Sequence, residues 1–265
     1  MEEAVAEYRA HQDAAERWAL GRFVVPLARW NELRSCLTDT PTSAAPWPVS
    51  LVAAAGDFDR IEATRQESRL VVQAVECKAA NGDDVASAAR ITSLGMELFI
   101  EPTDLATFGA LAPRLAQVGA AAKIRTGGVT VDAFPSPKQV LDFLMACRAA
   151  GIRFKATAGL HHAVRGEYRL TYESAPPMGE MFGFLNVAVA AALIWHGRNP
   201  GAALAALEER SMDAFVFTDG GLAWRGEHLS ATEIDDARSR FFTGFGSCSF
   251  REPMAEIGLE AQPRP

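Results

Sequence analysis

Short apolar runs alternate with longer segments of helical spacing along most of this chain. "RFVVPL" (22–27), "WPVSLVAA" (47–54), "VVQAVECKA" (71–79), "MELFIEP" (96–102), "AAAKIRTGG" (120–128) and "IRFKATAG" (152–159) have the length and β-branched content of buried strands. Between them "ARWNELRSCL", "DFDRIEATRQE", "DDVASAARITSLG", "TDLATFGALAPRLAQVG" and "SPKQVLDFLMACRAAG" repeat their apolar residues at helical spacing. Asp57 is placed as an N-cap, Gly95 as a helix stop, and Ser136 followed by Pro137 as a helix start. Residues 1–20 read as an additional N-terminal helix.

After residue 159 the rhythm loosens. Residues 160–180 read as a long flap loop, with a small hairpin at "EYRLTYE". Two apolar helices follow, over 181–197 and 201–211. "DAFVFTD" (213–219) is a seventh strand, "SATEIDDARSRF" a helix, "FTGFGSCS" (242–249) an eighth strand and "EPMAEIGL" a last short helix. The end is a Pro-rich tail, "AQPRP". Strands alternating with helices imply parallel pairing through right-handed crossovers. Eight such units in 265 residues predict a single (β/α)8 TIM barrel domain over 1–265, with the long loop after strand 6. Neither GxGxxG nor GxxxxGK[ST] occurs, which argues against a Rossmann or P-loop reading.

Composition narrows the partners. The chain is 49% hydrophobic and 22% charged, with a net charge of −7. That balance argues against a general nucleic-acid surface or an anionic membrane surface. No apolar run is long enough to span a bilayer, and the acidic start does not resemble a signal or transit peptide. Cys36, Cys77, Cys147 and Cys248 are widely spaced and form no CxxC pair. They read as reduced thiols of a cytoplasmic protein, with Cys77 and Cys248 as small core residues. No cofactor is called for, and a homo-oligomer is left open.

The barrel expectation supplies coordinates for chemistry, because such barrels react at the C-terminal ends of their strands. Residues two apart on a strand share a face. Glu76 and Lys78 therefore point together at the end of strand 3, with Glu101 ending strand 4. Lys123 and Arg125 share a face on strand 5, and Lys155 and Thr157 on strand 6. Asp219 ends strand 7, before Gly220 and Gly221. An unpaired charge is costly inside a strand, so this row predicts a polar mouth on which Glu76, Lys78, Glu101, Lys123, Arg125 and Lys155 converge. The same charges also fit structural ion pairs at a barrel rim. Gly246 and Ser247, in "FGSCS", suit a phosphate held by backbone N–H groups, or equally a tight turn with serine caps. His161 and His162 are candidates for substrate contact, and as sequence neighbours they are poor co-ligands of one metal. His196 reads as a helix C-terminal residue; His11 and His228 read as surface residues.

Two of these segments resemble the deoxyribose-phosphate aldolase group of class I aldolases. "KIRTGG" is similar to a strand end of that group through Lys123, Thr126 and Gly127. "KATAGLHH" is similar to the following strand through Lys155, Ala156, Thr157, Gly159 and Leu160; Ala158 stands where that group has a glycine. The resemblance implies a (β/α)8 barrel and a lyase working through a lysine Schiff base. In it Lys123 is the amine that condenses with a carbonyl, and Lys155 is the cation that lowers its pKa.

The residues support such chemistry independently of the resemblance. A lysine amine is protonated below about pH 10.4 and becomes nucleophilic when a neighbouring cation disfavours the ammonium. Glu76 or Glu101 would shuttle the proton and Arg125 would hold a small anionic (phosphate or carboxylate) carbonyl substrate. Two other classes stay open. One is a metal-dependent lyase or hydrolase using Glu76, Glu101, Asp219 and His161 or His162. The other is a non-catalytic barrel that binds a small anion or a partner.

Overall fold

The computed structural model describes residues 1–38 and 45–258. Its strands are β1 (Phe23–Pro26), β2 (Trp47–Val52), β3 (Leu70–Ala79), β4 (Glu97–Pro102), β5 (Ala121–Arg125), β6 (Phe154–Thr157), β7 (Gly166–Arg169), β8 (Met178–Met181), β9 (Phe215–Thr218), β10 (Gly221–Trp224), β11 (Glu227–Ser230) and β12 (Phe242–Gly246). The helices are α1 (Glu2–Gln12), α2 (Trp30–Cys36), α3 (Phe58–Ala63), α4 (Gly82–Ala89), α5 (Phe108–Gln117), α6 (Pro137–Ala150), α7 (Phe184–Trp195), α8 (Pro200–Glu208), α9 (Ala231–Arg240) and α10 (Arg251–Glu256).

This is an α/β fold built on a seven-stranded parallel sheet in the order β1-β2-β3-β4-β5-β6-β12. The first six expected strands all belong to it. The expected eighth strand belongs to it too, as β12 beside β6, and the expected seventh does not, so the eight-stranded count is corrected to seven among the described residues. The expected seventh strand, at 213–219, is β9, and it pairs antiparallel in a separate sheet of order β11-β10-β9. The reason is visible in its burial: only Phe215 of its four residues is covered. A parallel strand between helix layers is covered on both faces, whereas β9 is a one-sided meander strand. The "DGG" after it works as a hairpin turn rather than a barrel loop.

Contacts divide the described chain into two compact units. One comprises 1–103 and 117–120; the other comprises 104–116 and 121–258. In the first, β3 takes both neighbours in parallel register, Val52↔Glu76 on one side and Cys77↔Ile100 on the other. Val49, Leu51, Val75, Cys77, Leu98 and Ile100 are all buried, which explains the near-continuous apolar runs of these strands. Tyr8 of α1 packs edge-on to Phe23 at 5.3 Å and lies 4.7 Å from Trp47. Its hydroxyl donates to Gly21 O at 2.8 Å, and burial pushes the phenol up to about 12. These contacts tie the N-terminal helix to the edge of the sheet.

In the second unit Phe154 of β6 is fully buried and contacts Phe143 of α6 at 5.5 Å, Phe241 at 5.1 Å and Phe242 of β12 at 5.0 Å. The start of α6 is as expected: Ser136 accepts from Gln139 N in a capping box, with Pro137 next. Helix α7 is apolar all round because nearly all of it is buried. The polar exception is Asn186, which accepts from Arg165 N at 2.7 Å and donates to Ala206 O and Glu209 O, each at 2.7 Å. The 160–180 segment holds β7, and its antiparallel partner β8 begins at Met178, later than the hairpin read at 167–173. The Pro-rich tail 261–265 and the last residue of the final helix reading, Leu259, lie outside the described residues. Among the described residues no helix is long and apolar enough to cross a membrane.

Candidate functional site

In the first unit Glu76 and Lys78 share a face of β3, and Lys78 is the register partner of Glu101 on β4. The two carboxylates are buried. Ser50 Oγ donates to Glu76 Oε1 at 2.6 Å. Lys78 reaches Glu101 Oε1 at 3.8 Å while most of its side chain stays in solvent. Buried carboxylates here therefore sit near the strand ends, as expected from the sequence. A largely solvated lysine makes a weak ion pair, so Lys78 contributes field more than stability.

In the second unit β5 and β6 pair in parallel with Lys123↔Lys155 and Arg125↔Thr157 as register partners. Side chains at paired positions of adjacent parallel strands leave the same face, about 4.8 Å apart at the backbone. Lys123 is buried, Lys155 is half-buried and Arg125 is exposed. The two following loops are locked together. Thr126 N donates to Thr157 O at 2.9 Å, and Thr126 Oγ1 donates to Ala158 O at 2.6 Å. Ala158 and Gly159 both take positive φ, 64° and 75°. A Cβ on Gly127 would lie 3.0 Å from Gly159 Cα, so the loops touch backbone to backbone only because glycine stands there.

Gly246 ends β12 as the register partner of Thr157. Beyond it the chain builds a cluster that no spacing pattern announced. Ser247 Oγ lies 3.1 Å from His161 Nδ1, and Glu252 Oε2 of α10 lies 3.1 Å from the same nitrogen. Cys248 Sγ is 3.6 Å from His161 Nε2 and 3.6 Å from the Tyr172 hydroxyl. Tyr172 donates to Glu252 Oε1 at 3.0 Å. The expected core placement of Cys248 is corrected: the residue is exposed, whereas Cys77 is buried as expected. Hydrogen bonding to His161 pulls the Cys248 thiol below its ordinary value, and the same bond raises His161.

His162 turns to the other carboxylate of α10, with Nδ1 2.5 Å from Glu256 Oε1, and its ring stacks on Tyr168 at 3.5 Å. The two histidines thus diverge to separate partners. Their segment is held by α7, whose first amides, Phe184 N and Leu185 N, donate to His162 O and Ala163 O. Gly183 makes this approach possible, since a Cβ there would fall 2.2 Å from Ala163 O. Asp219 lies in the β9–β10 turn, not at the end of a strand of the parallel sheet, which corrects its expected place. Ser247 turns its hydroxyl to His161 and Ser249 N. His196 caps the C-terminus of α7, as read from the sequence.

Among the described residues no group of three or more His, Cys, Asp and Glu side chains is arranged to hold a metal ion. Tyr172 and Glu252 went unnoticed in the sequence because each is about 80 residues or more from a partner it meets. The only local hint was a cysteine set between two serines at a strand end. No protein-family model matches the chain, and no curated protein matches it in sequence.

Proposed function

We propose that the chain is a lyase of the aldolase type that acts on a small anionic carbonyl compound through a Schiff base on Lys123. The observation that carries this reading is the cross-strand pairing of Lys123 with Lys155. Two ammonium groups leaving one face of adjacent strands repel, and the buried one loses more by staying charged. Lys123 is that group, so it is the amine made available as a nucleophile. Lys155 keeps its charge and disfavours the ammonium on Lys123.

Condensation of the Lys123 amine with a carbonyl expels water and leaves an iminium. The iminium accepts the electron pair of the carbon–carbon bond that breaks in the retro-aldol direction. Arg125, exposed at the end of β5, is suited to a phosphate or carboxylate on the substrate. The seven-stranded parallel sheet supports a barrel-type reading related to the (β/α)8 class, which puts chemistry at these C-terminal strand ends. The four free cysteines support a cytoplasmic setting.

The test is borohydride trapping with a panel of small phosphorylated and carboxylated aldehydes and ketones, read by intact-protein mass and peptide mapping. The expected result is one stable adduct on Lys123. Absence of any adduct across the panel removes the Schiff-base reading.

A further inference from the structure

We propose that Cys248 is a reactive-thiol site that exchanges with small disulfides, with His161 as its base and Glu252 as the group that orients that base. The site rests on geometry separate from the lysine pair. Glu252 Oε2 and Ser247 Oγ both approach His161 Nδ1 at 3.1 Å, and Cys248 Sγ lies beside the same ring, 3.6 Å from Nε2 and 3.7 Å from Nδ1. We assign the proton on Nδ1 to the hydrogen bond with Glu252, because a carboxylate only accepts. Nε2 is then the unprotonated nitrogen within reach of the thiol, at 3.6 Å. This is the order nucleophile, base, orienting carboxylate that activates a thiol.

Three elements converge to build it: the segment after β6, the β7–β8 connection and α10. The titratable groups that face the thiol are His161 from the first, Tyr172 from the second and Glu252 from the third. Tyr172 donates its hydroxyl proton to Glu252 and lies 3.6 Å from the sulfur, and desolvation raises its phenol, so it stays neutral beside the thiol. Glu252 opposes a negative sulfur, and the His161 contact outweighs it. The next carboxylate of α10, Glu256, is taken up by His162 and Ala163 N.

The reagent class follows from what surrounds the sulfur. Two of the amides that follow it are occupied: Ser249 N donates to Ser247 Oγ and Glu252 N to Ser249 Oγ. These groups therefore do not stabilise an oxyanion, which acyl transfer would require. Disulfide exchange develops charge on sulfur alone and needs no such donors. The Cys248 thiol gives its proton to His161 Nε2. The thiolate attacks one sulfur of the disulfide; the new S–S bond forms as the old one breaks. The leaving thiolate takes the electron pair and then the proton from the imidazolium. Exposure makes the thiol accessible, whereas Cys77 and Cys147 are buried.

The experiment uses the full chain and 4,4′-dithiodipyridine, an uncharged disulfide whose released thiopyridone is followed optically. One fast equivalent is expected, mapped to Cys248 by peptide mass, and absent in Cys248→Ser. An ordinary thiol with a pKa of about 8.5 loses roughly 50-fold in rate between pH 8.5 and 6.5. Wild-type Cys248 should lose markedly less, and His161→Gln should restore the full loss. A second reading, the thiolate absorbance near 240 nm against pH, needs only the wild-type chain and should place the thiol's midpoint below the ordinary value. A fast equivalent that maps to Cys36, or a wild-type thiol with the full 50-fold fall and an ordinary midpoint, overturns the proposal.

Discussion

Lys123 on β5 and Lys155 on β6 are direct cross-strand partners, the first buried and the second half-buried. A sheet rarely places two cations side by side, because like charges opposite one another destabilise it. A pair kept in spite of that cost is the kind of local conflict expected at working sites.

The roles of the two lysines separate under mutation. Lys123→Ala is expected to abolish both turnover and borohydride trapping. Lys155→Leu leaves the amine but removes the charge that disfavours its protonation. The Lys123 pKa then rises, so the activity profile moves to higher pH. The check is a pH–rate profile of each variant on whichever substrate traps. Trapping that survives Lys123→Ala and vanishes in Lys155→Ala would exchange the two roles.

Ala158 holds φ at 64°, the left-handed region in which a Cβ crowds the following carbonyl. Relief of that crowding exceeds the extra freedom glycine has in the unfolded chain. Ala158→Gly is expected to stabilise the fold by roughly 0.5–1 kcal/mol. Urea unfolding with an unchanged slope would measure it, and a loss of stability would show that the loop geometry is otherwise.

Asn186 pairs with three backbone groups: Arg165 N, Ala206 O and Glu209 O. Asn186→Ala strands buried amide and carbonyl groups, at a cost of roughly 2–3 kcal/mol. A thermal or urea midpoint close to wild type would mean that water replaces the side chain.

Glu209 accepts from Arg225 Nε at 2.7 Å and from Ser211 N at 2.9 Å. Arg225 is the main cause that lowers its carboxyl to about 2. The folded value lies below the unfolded value of about 4.3, so this stabilisation is fully present above pH 4.3. It is lost as the pH falls toward 2. Glu209→Gln should cost roughly 1.5–3 kcal/mol at pH 7, and the gap should close on acidification. A gap that stays constant from pH 7 to pH 2.5 would sink this assignment.

The local patterns of this chain determined a good deal by themselves. All seven of the parallel strands, the capped start of α6 at Ser136 and the helical N-terminus follow from period, length and cap chemistry, which act over a few residues. The shared parity of Lys123 with Arg125 and of Lys155 with Thr157 followed in the same way. Register did not: that Lys123 faces Lys155, and not its neighbour, is decided by how two strands slide against each other. The departure of β9 to an antiparallel sheet was also tertiary. "DAFVFTD" looks apolar enough for a core, and only the packing left Val216 and Phe217 exposed. The Cys248 cluster was least legible. Cys248 meets His161 and Tyr172 across 87 and 76 residues of chain, and side chains that far apart leave no period to read. Their meeting is set by the loop after β6, by Gly183 under it and by the return of the chain through β12 to α10.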